Sequence, residues 1–235
     1  MPGGTDLFLA AHWQMAFGER AAIEGVVAAL RPALAIELGT AQGGSLASIA
    51  AHSSEVHTFD LEPAITDVPP HVRLHAGDSH VLLPRLLSEL AAAGRNVDFA
   101  LVDGDHAPDG VRRDLTDLLD SPAVGRTVIL LHDMANEAVR GGAEAVDFAR
   151  YPKIAYVDLG FVEVPQRDGA LVERWGGLGL VVVDPDGTLV DVPGERPVIA
   201  HVRAREAPLR RAAAPLRQVR RRARGTARRL LNRAR

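Results

Sequence analysis

Apolar positions along the chain follow two alternating rhythms. After a first short helix, Ile23, Val26, Val27 and Leu30 recur at helical spacing until Pro32 stops the run. Residues 33–38 are then apolar enough for a strand buried on both faces, and a glycine-rich turn leads into a helix over 45–51. The alternation continues with strands at 56–59, 71–75, 97–102, 127–131, 154–157 and 178–183. Asp78 and Ser79 are cap candidates for the third helix of this series, with Pro84 in its first turn. Val111, Leu115, Leu118 and Leu119 mark the next, and 138–150 reads as another. The Asp184-Pro-Asp-Gly187 turn closes the last strand into a hairpin with 188–192. Strands alternating with helices predict an α/β fold: a doubly wound, mostly parallel, seven-stranded Rossmann-like sheet with helices on both faces.

Composition narrows the class. At 235 residues the chain suits one α/β domain, and 47% apolar with 24% charged residues is ordinary for a globular protein. With no cysteine, disulfides, thiolate catalysis and Cys-ligated zinc are excluded. The first residues lack a basic segment followed by an apolar run, and no stretch approaches the ~18 apolar residues of a membrane span. A cytoplasmic protein without a transmembrane segment is the expectation. Charge divides the chain further. The net charge is −3, yet 13 arginines against the single Glu206 lie between Arg203 and Arg235, so an acidic body carries a basic tail. Three parts follow: N-terminal helices over 1–32, the α/β domain over 33–200, and an Arg/Ala-rich tail over 201–235. In the tail Ala-Pro-Leu-Arg occurs twice, and Leu216, Val219, Ala223, Ala227, Leu230 and Ala234 fall on one helical stripe. A solvated extension explains these features as well as contact with an acidic or anionic surface does. Nothing in the pattern specifies nucleic acid, and a homo-oligomer is a further expectation.

Candidate chemistry clusters just after strands, where ligands bind in such sheets. The first turn reads Glu37-Leu-Gly39-Thr-Ala-Gln-Gly43-Gly44-Ser45. Glycines there let a ligand lie against bare main chain. Glu37 ends the first strand, and Asp60 ends the second, where a carboxylate can bond a ribose hydroxyl pair. Two cofactors compete for this pattern. A nicotinamide dinucleotide requires G-x-G-x-x-G beside its pyrophosphate, and neither the glycine spacing nor the charge of Glu37 suits it. S-adenosylmethionine carries an amino group and a sulfonium but no phosphate, which a carboxylate favours.

A second set follows strands four and five: Asp103-Gly-Asp105-His106 and His132-Asp133. Two carboxylates with an imidazole suit a divalent cation such as magnesium. Such an ion acidifies a hydroxyl, and a nearby His can take its proton. Asp105 is a candidate partner for either His. Local hydrogen bonding at a helix start or strand end is the bland explanation of the same residues.

Taken in order, Glu-Leu-Gly-Thr-x-x-Gly-Gly-Ser-Leu, Gly-Asp-Ser, Val-Asp-Gly-Asp-His and Leu-His-Asp resemble the class I methyltransferases. The chain is most similar to the cephalosporin-biosynthesis and macrolide-sugar O-methyltransferase-like group, over about residues 33–184. The resemblance implies S-adenosylmethionine as cofactor, with Glu37 and Gly39 along its methionine part and Gly43 and Ser45 also among the residues that bind it. It places Asp60 on the ribose and Asp78 and Ser79 near the adenine, and counts Asp103 among the cofactor-binding residues. It further implies magnesium at Asp103, His132 and Asp133, and His106 as the base. His132 departs from the acidic pair usual there, and Ala107-Pro108-Asp109 departs from the usual aromatic residue. The expected activity is methyl transfer to a hydroxyl of a small molecule, a sugar or natural-product intermediate. Phe161–Gly177, with Trp175, is a candidate border of the acceptor pocket. An NAD-dependent oxidoreductase and a non-catalytic, partner-binding domain on the same sheet are the alternatives.

Overall fold

The computed structural model describes residues 13–164 and 174–189. Several expectations fall outside them: the first N-terminal helix, the hairpin partner beyond residue 189, the acceptor-side residues 165–173, and the whole basic tail.

Helix α1 (Phe17–Leu30) buries Ile23 and Val27 and ends at Arg31, whose left-handed backbone (φ 47°) turns the chain into Pro32. Strand β1 (Leu34–Leu38) is buried at all five positions, as expected of a central strand. Then follow α2 (Gly44–His52), β2 (Glu55–Asp60), β3 (Val72–Ala76), α3 (Ser79–Ala92), β4 (Phe99–Val102), α4 (Pro108–Asp120), β5 (Thr127–Leu131), α5 (Glu137–Glu144), β6 (Ile154–Val162) and β7 (Leu178–Val183).

The seven strands form one sheet in the order β3-β2-β1-β4-β5-β7-β6. Strands β1 to β5 pair in parallel, and β7 runs antiparallel between β5 and β6. Alternate residues feed the two faces. Ala35, Val56, Phe99, Leu101 and Leu130 pack with Ile23 and Val27 of α1 and Leu46 and Ile49 of α2. Helix α4 contacts both α3 and α5 in a separate layer, with Leu83, Leu87, Leu115 and Leu118 buried. The order reverses between β1 and β4: the loop after β1 leads to α2, and that after β4 leads to α4. A crevice opens between such diverging loops. Among the described residues no helix is long and apolar enough to cross a membrane.

Two elements differ from expectation. Pro84 stands in the second turn of α3, not the first. A proline there leaves the carbonyl of His80, four residues back, without its helical donor. Arg113 of α4 donates to that oxygen at 2.8 Å, which makes the position tolerable and ties α4 to α3. The helix expected over 138–150 stops at Glu144 and resumes only as a 3-10 turn at Phe148–Arg150. Gly141 and Gly142 weaken it, but Gly142 serves packing: a Cβ there would lie 2.4 Å from the Pro108 carbonyl oxygen of α4.

Candidate functional site

Two glycine-dependent approaches bring the site together. Gly39 (φ 93°) crosses so near the β4 loop that a Cβ would lie 2.2 Å from the carbonyl oxygen of Asp103. Gly43 (φ 79°) precedes α2, and the tip of Ile65 covers it at 2.8 Å from where a Cβ would stand. Both conformations favour glycine.

The carboxylate of Asp60 organises this turn. Its Oδ2 accepts from the backbone N–H of Thr40 and Ala41, and Oδ1 accepts from Glu62 N–H. Ala41 itself is left-handed (φ 44°), a shape the Asp60 bonds hold. Glu37 lies beneath the turn, fully buried. Ser45 Oγ and Thr58 Oγ1 each donate to it at 2.6 Å. Burial pushes its carboxyl up to about 8 despite these bonds. With no ligand cation beside it, the group is therefore protonated at neutral pH. On the other side of the crevice Asp78 caps α3 by accepting from His80 N–H, and Ser79 begins that helix. His80 Nε2 lies 3.2 Å from Asp114 Oδ1, inside the α3–α4 contact.

Beyond β4 and β5, charged side chains converge. Asp133 has φ 57°, unusual for a residue with a Cβ. This turn directs its Oδ2 to 3.1 Å from His106 Nε2, which is also 3.6 Å from Asp103 Oδ1. Asp103, His106 and Asp133 each offer a ligand atom, all within 4.8 Å of one another. Asp103 and Asp133 together push the His106 imidazole up to about 9. Burial would lift the Asp133 carboxyl, but His106, His132 and the Gly176 N–H hold it below its ordinary value.

His132 stands apart from the expected ligand set. It is 6% exposed, and both ring nitrogens are engaged: Nδ1 with Asp103 Oδ1 and Nε2 with Glu19 Oε1, each at 2.9 Å. A ring bonded on both sides has no lone pair left for an ion. His106 takes the place in the cluster that sequence reasoning gave to His132. Burial presses the His132 imidazolium down, but Asp103 and Glu19 outweigh that and carry it up to about 10. Asp105 also differs from expectation. It accepts from Ala107 N–H at 2.7 Å and fills the space over Gly110, where a Cβ would lie 1.9 Å from Oδ2. It starts helix α4 rather than supporting either His.

Sequence reasoning missed Glu19. It is 1% exposed and accepts from Ala16 N–H, Gly177 N–H and His132 Nε2. One carboxylate thus joins the start of α1, the end of β5 and the segment before β7. The available signal was its place on the buried stripe of α1, four residues before Ile23 and eight before Val27. Gly176 and Gly177 (both φ 86°) donate to Asp133 and Glu19, so two carboxylates fix the segment that carries Trp175. The Trp175 ring stands edge-on to His106, centroids 5.2 Å apart.

Residues 36–134 match the family model of a methyltransferase domain, and they span the glycine-rich turn, Asp60 and the His132-Asp133 pair. Over that stretch the chain is similar to a methyltransferase domain. Solved structures share its fold. TomG, an O-methyltransferase from Streptomyces achromogenes involved in tomaymycin synthesis and solved in complex with S-adenosylmethionine, is 15% identical. The match covers 72% of this chain and 81% of that one, with a TM-score of 0.55. An O-methyltransferase from Bacillus cereus in complex with S-adenosylhomocysteine is 16% identical over 75% of this chain and 84% of that one, TM-score 0.51. The S-adenosylhomocysteine-bound methyltransferase PaMTH1 of Podospora anserina is 17% identical over 75% and 82%, TM-score 0.50. No curated protein matches the sequence.

Proposed function

We propose that this methyltransferase domain transfers the methyl group of S-adenosylmethionine to a hydroxyl of a small molecule. The observation that carries the reading is the crevice at the β1–β4 reversal. A glycine-rich turn lies on one side of it and a set of carboxylates and imidazoles on the other, and the two meet where Gly39 passes against the Asp103 backbone. S-adenosylmethionine supplies an electrophilic methyl on a sulfonium. Glu37, Gly39, Gly43 and Ser45 border the place of its methionyl end, Asp60 and the turn it holds that of the ribose, and Asp78 and Ser79 that of the adenine. The TomG, Bacillus cereus and Podospora structures, each bound to the donor or its product, support this choice.

His106, beside Asp103 and Asp133, is the group we assign to take the acceptor's proton. The two aspartates beside it favour the imidazolium, which makes the ring a stronger base but leaves it mostly protonated at neutral pH. With its pKa at about 9, only about one molecule in a hundred is ready at pH 7. The rate should therefore rise with pH towards 9.

A divalent cation is the second reading, favoured by the grouping of Asp103, His106 and Asp133. The donors fit one: two carboxylates and an imidazole, with His106 41% exposed on the open side. Bound there, the ion would acidify the acceptor hydroxyl. His106 would then be a ligand and not the base, so the two roles exclude each other. An acceptor assay with and without chelator separates them. Loss of turnover in chelator supports the ion, and full turnover supports His106 acting alone. A cytoplasmic, small-molecule enzyme is part of the reading. The homo-oligomer and the anionic surface facing the tail rest only on charge distribution.

A further inference from the structure

Large apolar side chains open to water gather on one side of the site. Among the described residues five are exposed, and three of them, Phe17, Phe161 and Trp175, come from segments that meet there. Glu19 accepts from the N–H of Ala16, next to Phe17, and from that of Gly177, two residues after Trp175, so one carboxylate gathers both segments. The end of β6 joins them: Val162 pairs with Leu178, and the Val164 side chain comes within 3.1 Å of where a Cβ on Gly176 would stand. Trp175 is the member that reaches the reacting groups. It is 50% exposed, and its ring stands at 84° to that of His106, centroids 5.2 Å apart.

A single exposed apolar residue needs no explanation, but this one is held in place. Gly176 N–H donates to Asp133 and Gly177 N–H to Glu19, while the carbonyls of Gly177 and Gly176 accept from the N–H groups of Met134 and Ala135. The backbone that follows Trp175 is thereby fixed to the end of β5, and an indole that forgoes half its burial is kept beside His106. The polar groups around it are turned inward. Asp133 gives one oxygen to Gly176 and the other to His106, His132 engages both ring nitrogens, and Glu19 engages both oxygens. A polyol needs a partner for each hydroxyl it buries, and these groups are already occupied. An apolar face with one polar group beside it matches instead a largely apolar molecule with one hydroxyl to position.

We infer that Trp175 is the platform for the methyl acceptor and that the acceptor is a flat, unsaturated ring carrying the hydroxyl. The inference rests on the transfer reaction proposed above and names its substrate class. With the two rings at 84°, a flat molecule laid along the indole presents its edge, where the hydroxyl is carried, to the imidazole. Phe17 and Phe161 extend the apolar rim beyond the indole.

The test is calorimetry on the full chain saturated with S-adenosylhomocysteine, with naphthol as the flat probe and decahydronaphthol as its saturated counterpart. Naphthol should bind the wild type more tightly than decahydronaphthol does. Trp175→Leu keeps an apolar side chain without a ring and should weaken naphthol roughly 5–100-fold, the size of a lost aromatic stack. Trp175→Phe should retain naphthol within about threefold, and both variants should bind S-adenosylhomocysteine as the wild type does. Unchanged naphthol affinity in Trp175→Leu overturns the inference. So does an equal loss in Trp175→Phe and Trp175→Leu, equal binding of the two probes by the wild type, or no binding of naphthol to a chain that binds S-adenosylhomocysteine. A wild type that does not bind S-adenosylhomocysteine would instead overturn the transfer reaction, and this inference with it.

Discussion

Replacing Glu19 by Gln tests whether the Glu19–His132–Asp103 network holds the site together by charge. The amide can still accept from Gly177 N–H, but it cannot neutralise the His132 imidazolium. In the wild type that imidazolium is carried from 6.5 to about 10. A shift of this size corresponds to roughly 4–5 kcal/mol at most, by 1.36 kcal/mol per unit. His132 is 6% exposed, so solvent screening removes little of it, but two carboxylates share the effect. Removing one should cost about 2–3 kcal/mol, the lower part of the range for a broken buried pair. The sign follows from linkage. A histidine with a raised folded pKa contributes stability that is full below pH 6.5 and lost as pH rises through about 10. The difference between wild type and Glu19→Gln should therefore be largest near pH 6 and shrink towards pH 10. Urea unfolding at several pH values measures it. A difference that is constant across pH 6–10 would refute the charge argument and leave Glu19 as a steric and backbone-bonding residue.

Other substitutions probe the remaining parts. Asp60→Ala leaves the N–H groups of Thr40, Ala41 and Glu62 without their acceptor; calorimetry should show S-adenosylhomocysteine affinity falling about 10–100-fold, with an unchanged value counting against the loop's role. Gly110→Ala drives a methyl into Asp105 and should lower stability by roughly 1–3 kcal/mol despite alanine's better helix propensity, read by thermal unfolding. His106→Ala should lower turnover by ~10²–10⁴ if His106 is the base, and the wild-type rate should climb with pH towards 9; a rate flat from pH 6 to 9 would contradict the pKa the two aspartates impose.

The sheet was legible because its strands are short, apolar and separated by turn residues. The 127–131 and 178–183 strands and the buried stripe of α4 stand where the periodicity put them. What periodicity could not show is how deep a polar residue lies. Glu37 and Asp60 both read as strand-end carboxylates, yet one is sealed under Ser45 and Thr58 while the other braces backbone amides. Adjacency in sequence also misled. His132 and Asp133 follow each other, but the left-handed turn at Asp133 sends that side chain to His106 and leaves His132 facing Glu19. Glu19 itself lies 113 residues from His132, and a pairing of that range needs the packed helix to reveal it. The Pro84 position was misread because its compensation comes from Arg113, on another helix.

The donor site is the central claim, and calorimetric titration of the purified full chain tests it without knowledge of the acceptor. S-adenosylhomocysteine should bind with one site per chain and NAD should give no heat of binding. Saturable binding of NAD with none of S-adenosylhomocysteine would contradict the account.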